Sequence, residues 1–255
     1  MKETFKLWNE AVSFDGEVPL LHRYSPENKR GDGAVIIFAG GAYSYRAPHE
    51  GESYALRLNK MGIEAFVVDY RVAPCRYPAP ILDAFKAIST VRQKAKEYHV
   101  DPNKIAVMGS SAGGHLAALS ATLHSEDIAD SIPNAQILCY PVTDIESHEG
   151  SYENLLGDNI ADRKSVTPTL LANEKTPPAF IWHTSSDQAV DVKGSYRYAA
   201  RLSELGVPVE MHIYPIGGHG LGLANGLYGK VTEEYVQRWP EELERWLRLI
   251  GWINQ

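Results

Sequence analysis

Short apolar runs rich in β-branched and aromatic residues alternate along the chain with longer stretches whose apolar positions recur every three or four residues. That alternation of strand and helix periods predicts βα units building a mostly parallel central sheet with helices on both faces, an α/β architecture. The predicted strands are Ala34–Phe38, Ala65–Asp69, Lys104–Met108, Gln136–Tyr140, Ala179–His183 and Val209–Tyr214, with antiparallel edge strands around Phe5–Trp8 and Leu20–Tyr24. Helices are predicted over Glu50–Lys60, Ile81–Tyr98, Ala112–Thr122, Val192–Leu205 and Thr232–Leu249. In the second, Leu82, Phe85, Ile88 and Val91 form the stripe for burial, and Lys86, Arg92, Lys94, Lys96 and Glu97 form the wet face. Residues 145–177 are polar and weakly periodic, and they follow a strand, so the expectation is one α/β unit over 1–255 with a short lid-like insertion there.

Chemistry enters where Lys104–Met108 runs into Gly109-Ser110-Ser111-Ala112-Gly113-Gly114, followed by the helix formers His115-Leu116-Ala117-Ala118-Leu119. A G-x-S-x-G pattern between strand and helix bends the chain sharply and exposes the central serine, here Ser111, above the sheet. The next amide, on Ala112, opens a helix and is placed to stabilise an oxyanion. The same residues do not fit the dinucleotide fingerprint G-x-G-x-x-G, because Ser111 stands where its second glycine belongs.

A serine hydroxyl needs an imidazole to take its proton, and after such an elbow the partners follow in the order Ser, acid, His. His219 sits in the glycine-flanked loop Pro215-Ile216-Gly217-Gly218-His219-Gly220, directly after a strand, and is the best of nine histidines for a base. His212 lies within a strand, His183 ends one, and His115, four residues past Ser111, is assigned a supporting place beneath the site. Asp187 follows Thr184-Ser185-Ser186 at a strand end and is the favoured acid. A turn or cap role is its plainer alternative, and Asp144 is its rival. The Gly40-Gly41 pair after Ala34–Phe38 lies in a loop that can turn backbone amides toward a substrate.

Composition narrows the classes. With 44% hydrophobic and 22% charged residues in 255, the chain matches ordinary globular proteins. A net charge of −7 argues against a nucleic-acid partner. Cys75 and Cys139 form no C-x-x-C pair, and neither a zinc ribbon nor a disulfide framework is suggested. No apolar stretch has the length of a secretory leader or a membrane span, which points to a cytoplasmic protein without membrane partners.

Taken in order, Gly40-Gly41-Ala42-Tyr43, Pro48-His49-Glu50-Gly51-Glu52, Asp69-Tyr70-Arg71, Asp101-Pro102, Ser111-Ala112-Gly113-Gly114-His115-Leu116, Tyr140-Pro141, Asp187 and Gly217-Gly218-His219-Gly220 make the chain similar to the small carboxylesterases and acetyl-xylan-esterase-like proteins related to the hormone-sensitive lipase group. The resemblance implies an α/β-hydrolase fold without a large cap domain. It also implies Ser111, Asp187 and His219 as catalytic residues and Gly41, Ala42 and Ala112 as anion-hole donors; Tyr43, with Tyr45 and the 145–177 stretch, is expected to shape the substrate pocket, packing being its plainer reading. It implies hydrolysis of a small acyl ester or acetylated sugar, with no metal or cofactor and a homo-oligomer allowed. The sequence departs from the group at Ala39 and Ala42, where histidine or proline and a third glycine are usual, and at Asp191, where proline is common. A peptidase or amidase with the same triad and a non-catalytic ligand-binding homologue are the alternative readings.

Overall fold

The computed structural model describes residues 1–8 and 18–254. In chain order its elements are β1 (Lys2–Lys6), β2 (Leu20–Tyr24), β3 (Ala34–Phe38), α1 (Glu52–Lys60), β4 (Glu64–Asp69), α2 (Ala79–Gln93), β5 (Ile105–Ser110), α3 (Ala112–Thr122), β6 (Ala135–Cys139), α4 (Glu149–Leu156), α5 (Pro168–Leu171), β7 (Ala179–Thr184), α6 (Lys193–Glu204), β8 (Val209–Tyr214) and α7 (Trp239–Leu249). The strands form one sheet in the order β1-β2-β4-β3-β5-β6-β7-β8. β1 and β2 pair antiparallel at one edge, β2 joins β4 antiparallel, and every remaining pairing is parallel.

The period of two along each strand feeds two separate cores. In β3, Ala34, Ile36 and Phe38 face one side, where Phe85 and Ile88 of α2, Leu116 of α3 and Leu202 of α6 pack. Val35 and Ile37 face the other, against Leu58 of α1 and Trp239, Leu243 and Leu247 of α7. Each such buried aliphatic side chain contributes about 1.5–3 kcal/mol of transfer free energy. α3 is buried on every side, which explains its unbroken run of small and apolar residues.

Several boundaries differ from the sequence expectation. β1 lies at Lys2–Lys6 rather than Phe5–Trp8, and residues 9–17 of that region are outside the described set. α2 stops at Gln93, and Lys94–His99 continue as turns closed by bonds such as Tyr98 N to Lys94 O. On α2 the buried face includes Ile81 and Asp83, while Leu82 is only partly buried. Asp83 is tolerated there because Arg71 grips it through Nε and Nη2, and Trp8 Nε1 donates to it at 2.7 Å. α7 begins at Trp239, not Thr232, because Pro240 with its fixed φ and missing N–H suits only a first turn. Residues 145–177 hold α4, a 3₁₀ stretch over Gly157–Val166 and α5, and Tyr152, Leu155 and Val166 are buried in the main core.

The connections leaving β3 and β5 run to opposite sides of the sheet, so a crevice opens at the carboxyl ends of these neighbours. Among the described residues no helix is long and apolar enough to cross a membrane.

Candidate active site

Ser111 occupies that crevice, at the turn between β5 and α3. Its backbone holds φ 54° and ψ −120°, a conformation non-glycine residues rarely adopt, at a cost of about 1–3 kcal/mol. The surroundings enforce it: Ser111 N donates to Cys139 O at 3.0 Å, and Val142 N donates to Ser111 O at 3.1 Å. A side chain at Gly113 would put its Cβ 2.1 Å from Phe38 O, so only glycine lets α3 sit this close to β3.

His219 reaches Ser111 from the loop after β8. Its Nδ1 lies 2.6 Å from Asp187 Oδ2 and its Nε2 2.9 Å from Ser111 Oγ. A carboxylate only accepts, so Nδ1 carries the proton and Nε2 is left as the acceptor for the serine hydroxyl. Asp187 makes the contacts of both readings the sequence left open for it. Oδ1 accepts the amides of Ala189 and Val190 as a turn residue would, and Oδ2 holds the imidazole. Burial pushes its pKa up, but hydrogen bonds from His183 and His219, the nearby His219 ring and the Val190 amide outweigh that and hold the carboxyl well below the usual range. Asp144 is engaged elsewhere, with Arg197 Nε and the amides of Glu146 and Ser147. Asp191 caps Lys193 N.

The loop after β3 folds back on itself: Ser44 N and Tyr45 N both donate to Gly41 O, and Ala47 N donates to Gly40 O. Ala42 and Tyr43 both adopt positive φ, 51° and 60°, so the backbone there has the twist a third glycine would supply without strain. Among the described residues the amides of Gly41, Ala42 and Ala112 donate to no protein acceptor, whereas Gly40 N is taken by Glu50 Oε2 at 2.8 Å. Asn154 Nδ2, from α4, donates to Ala42 O at 2.8 Å.

The Tyr43 side chain does not open toward a substrate. It is 1% exposed, and its hydroxyl lies 2.6 Å from His115 Nδ1 beneath the elbow. His115 Nε2 in turn donates to Val166 O at 2.7 Å, which leaves Nδ1 to accept the phenol proton. Burial lowers the His115 pKa to about 4, against the raising effect of the Val166 carbonyl, so the ring is neutral near pH 7.

Sequence reasoning passed over His183. Its Nδ1 accepts from Ser195 Oγ at 2.8 Å, leaving Nε2–H to donate to Asp187 Oδ2 at 3.2 Å. Its place four residues before Asp187 was visible, but a histidine ending a strand carries no local mark of that contact. A cavity of about 270 Å³ lies against the His219 loop beside Lys230 and Val231, and a larger one of about 540 Å³, between α1 and residues 223–241, is lined by none of Ser111, Asp187 and His219. Among the described residues no cluster of three or more His, Cys, Asp or Glu side chains is arranged to hold a metal.

A Ser-His-Asp chain at an elbow with free amides across from it invites comparison with known proteins, and the BD-FAE family profile matches residues 21–202. The chain belongs to the BD-FAE family. The matched span runs from β2 into α6 and thus takes in the elbow and Asp187, while His219 lies beyond its end. The chain is 33% identical to an acetylxylan esterase of Xylanibacter ruminicola, over 97% of this chain and 52% of that protein. It is 30% identical to the carboxylesterase NlhH of Mycobacterium tuberculosis, over 84% of this chain and 75% of that one. Among solved structures it superposes on an acetyl ester-xyloside bifunctional hydrolase from Caldicellulosiruptor lactoaceticus with a TM-score of 0.89 and 39% identity, covering 99% and 97% of the two chains. These relatives have the α/β-hydrolase fold, as this BD-FAE member does. The chain spans about half or less of the length of two of the curated relatives it matches.

Proposed function

We propose that this BD-FAE member is a serine carboxylesterase that removes short acyl groups, acetyl groups on sugars or xylo-oligosaccharides among them, through an acyl-enzyme intermediate. The observation that carries the proposal is the continuous chain from Ser111 Oγ through His219 to Asp187 Oδ2, with bonds of 2.9 and 2.6 Å. In the first step His219 Nε2 accepts the hydroxyl proton as Ser111 Oγ attacks the ester carbonyl, while Asp187 stabilises the imidazolium and fixes its orientation. The tetrahedral oxyanion takes hydrogen bonds from the amides of Gly41, Ala42 and Ala112, each such donor being worth about 3 kcal/mol in the transition state. Collapse breaks the bond to the alcohol, which leaves with the proton from His219. Water then gives its proton to His219, its oxygen attacks the acyl carbon, and the carboxylic acid departs as Ser111 recovers its proton. The acetyl and sugar specificity rests on similarity to proteins named as an acetylxylan esterase and an acetyl ester-xyloside bifunctional hydrolase.

Hydrolysis of p-nitrophenyl acetate by wild type and Ser111→Ala tests the nucleophile. The variant is expected to lose activity by about 10⁶-fold in kcat, and wild-type turnover without the hydroxyl would end the proposal. A series of esters from acetyl to octanoyl, run beside acetylated xylo-oligosaccharides, tests the substrate class. Preference for octanoyl over acetyl would reject the short-chain assignment.

A further inference from the structure

A buried carboxylate that the acyl-transfer steps do not use lies directly behind the site. Glu50 is 2% exposed, in a short 3₁₀ turn (Pro48–Glu50) ahead of α1. Its Oε2 accepts Gly40 N at 2.8 Å, and its Oε1 accepts the Tyr140 hydroxyl at 2.6 Å. That same hydroxyl receives Gly222 N at 3.0 Å, three residues beyond His219, and the Tyr140 ring stands edge-on to the His219 ring at 5.2 Å between centroids. A second strut runs in parallel, because the neighbouring His49 Nε2 donates to Gly220 O at 2.9 Å. The fit is tight: a Cβ on Gly40 would lie 2.6 Å from Glu50 Oε2 and 3.1 Å from Ser111 Cβ. Tyr140 holds a positive φ of 37°, a further strained residue at this junction. An ionised group this deep costs free energy unless fully hydrogen-bonded, and here one oxygen takes the Gly40 amide while the other takes the Tyr140 hydroxyl, through which it reaches the His219 loop.

We propose that Glu50 is a positioning residue for ester hydrolysis, a single carboxylate that sets the separation between the anion-hole loop, gripped at Gly40, and the His219 loop, gripped through Tyr140 and Gly222. The inference rests on the serine-esterase proposal above. Both loops must be in register only when the oxyanion and the imidazolium exist together, so the effect of Glu50 falls on turnover rather than on ground-state binding.

The test is a double-mutant cycle on the full chain with p-nitrophenyl acetate, using Glu50→Gln, Tyr140→Phe and the pair, with thermal unfolding measured on each. Each single variant is expected to lose roughly 10- to 100-fold in kcat with KM near the wild-type value, since misplacement of this kind acts on the reacting geometry. The pair is expected to be no worse than the more damaging single, because the two residues act in one chain of contacts. Losses that multiply in the pair, a fall in thermal stability with kcat unchanged, or wild-type kcat in either single variant would overturn the proposal. Should Glu50→Gln fail to fold, Tyr140→Phe removes only a hydroxyl and decides the matter by the same kcat criterion. Ser111→Ala separates the two levels: if it is inactive while Glu50→Gln and Tyr140→Phe match wild type, only the role of Glu50 falls. If Ser111→Ala is as active as wild type, the esterase proposal falls and this one with it.

Discussion

Asp187 divides its two oxygens between the amides of its own turn and the His219 imidazole, and that division makes a sharp prediction. Asp187→Asn keeps the shape of the turn but allows the wrong His219 tautomer, and kcat is expected to drop by about 10⁴-fold. Asp144→Asn weakens the contact with Arg197 and is expected to leave kcat within a few-fold of wild type while costing about 1 kcal/mol of stability. Kinetics of the two proteins side by side check this, and a larger loss in Asp144→Asn would reverse the assignment. Ser111, Asp187 and His219 were legible in the sequence because each follows a strand and is bracketed by turn residues, a local signal. His183 and Glu50 were not, since what defines them is burial against partners distant in sequence, Ser195 and Tyr140. Glu50 was expected to open the helix Glu50–Lys60, and a glutamate in a first helical turn reads as a solvent residue until the fold closes over it.

Among the elements, the stretch from α4 to α5 departs most from what its composition suggested. Its polarity and weak periodicity are those of a lid, yet Tyr152, Leu155 and Val166 anchor it in the core, and Arg76 clasps the carbonyls of Glu153 and Asn154 in α4. Two of its groups support the site: Asn154 holds the Ala42 carbonyl, and Val166 O holds His115 against Tyr43. Asn154→Ala removes the only side-chain bond to the Ala42 carbonyl among the described residues. It is expected to lower kcat about 10-fold and stability by about 1 kcal/mol. Steady-state kinetics and denaturant unfolding measure both, and an unchanged kcat would show that the loop holds its shape unaided. The ends of β8 between Pro208 and Pro215 and the end of α1 shortly before Gly62 were legible, whereas the start of α7 was missed although Pro240 marks it. The end of α2 was not, because Lys94–His99 keep helical composition while their backbone tightens into turns.

Over the whole molecule, the βα alternation revealed the parallel sheet and its two covered faces, whereas the spatial order of strands depends on long-range pairing that no local period encodes. Stability should carry the mark of the buried histidine beneath the elbow. His115 titrates near 4 when folded and near 6.5 when free, so on acidification the unfolded chain binds the proton first. This stabilising contribution is complete above pH 6.5 and is lost as pH falls to about 4, up to ~3 kcal/mol in all. Asp187, whose folded pKa is also lowered but in favour of the charged form, adds a further loss as pH falls below its ordinary value of 3.8. Urea unfolding at pH 7 and pH 4.5 should show the first effect in wild type and a smaller one in His115→Gln, and equal pH slopes would contradict it. The Asn154 contact carries a different consequence, for exchange of parts between relatives. A chimera that imports another family member's 145–177 stretch also replaces the contact that holds the Gly40–Tyr43 loop, so any change of selectivity sought by that graft arrives together with a change in how the loop beside Ser111 is held.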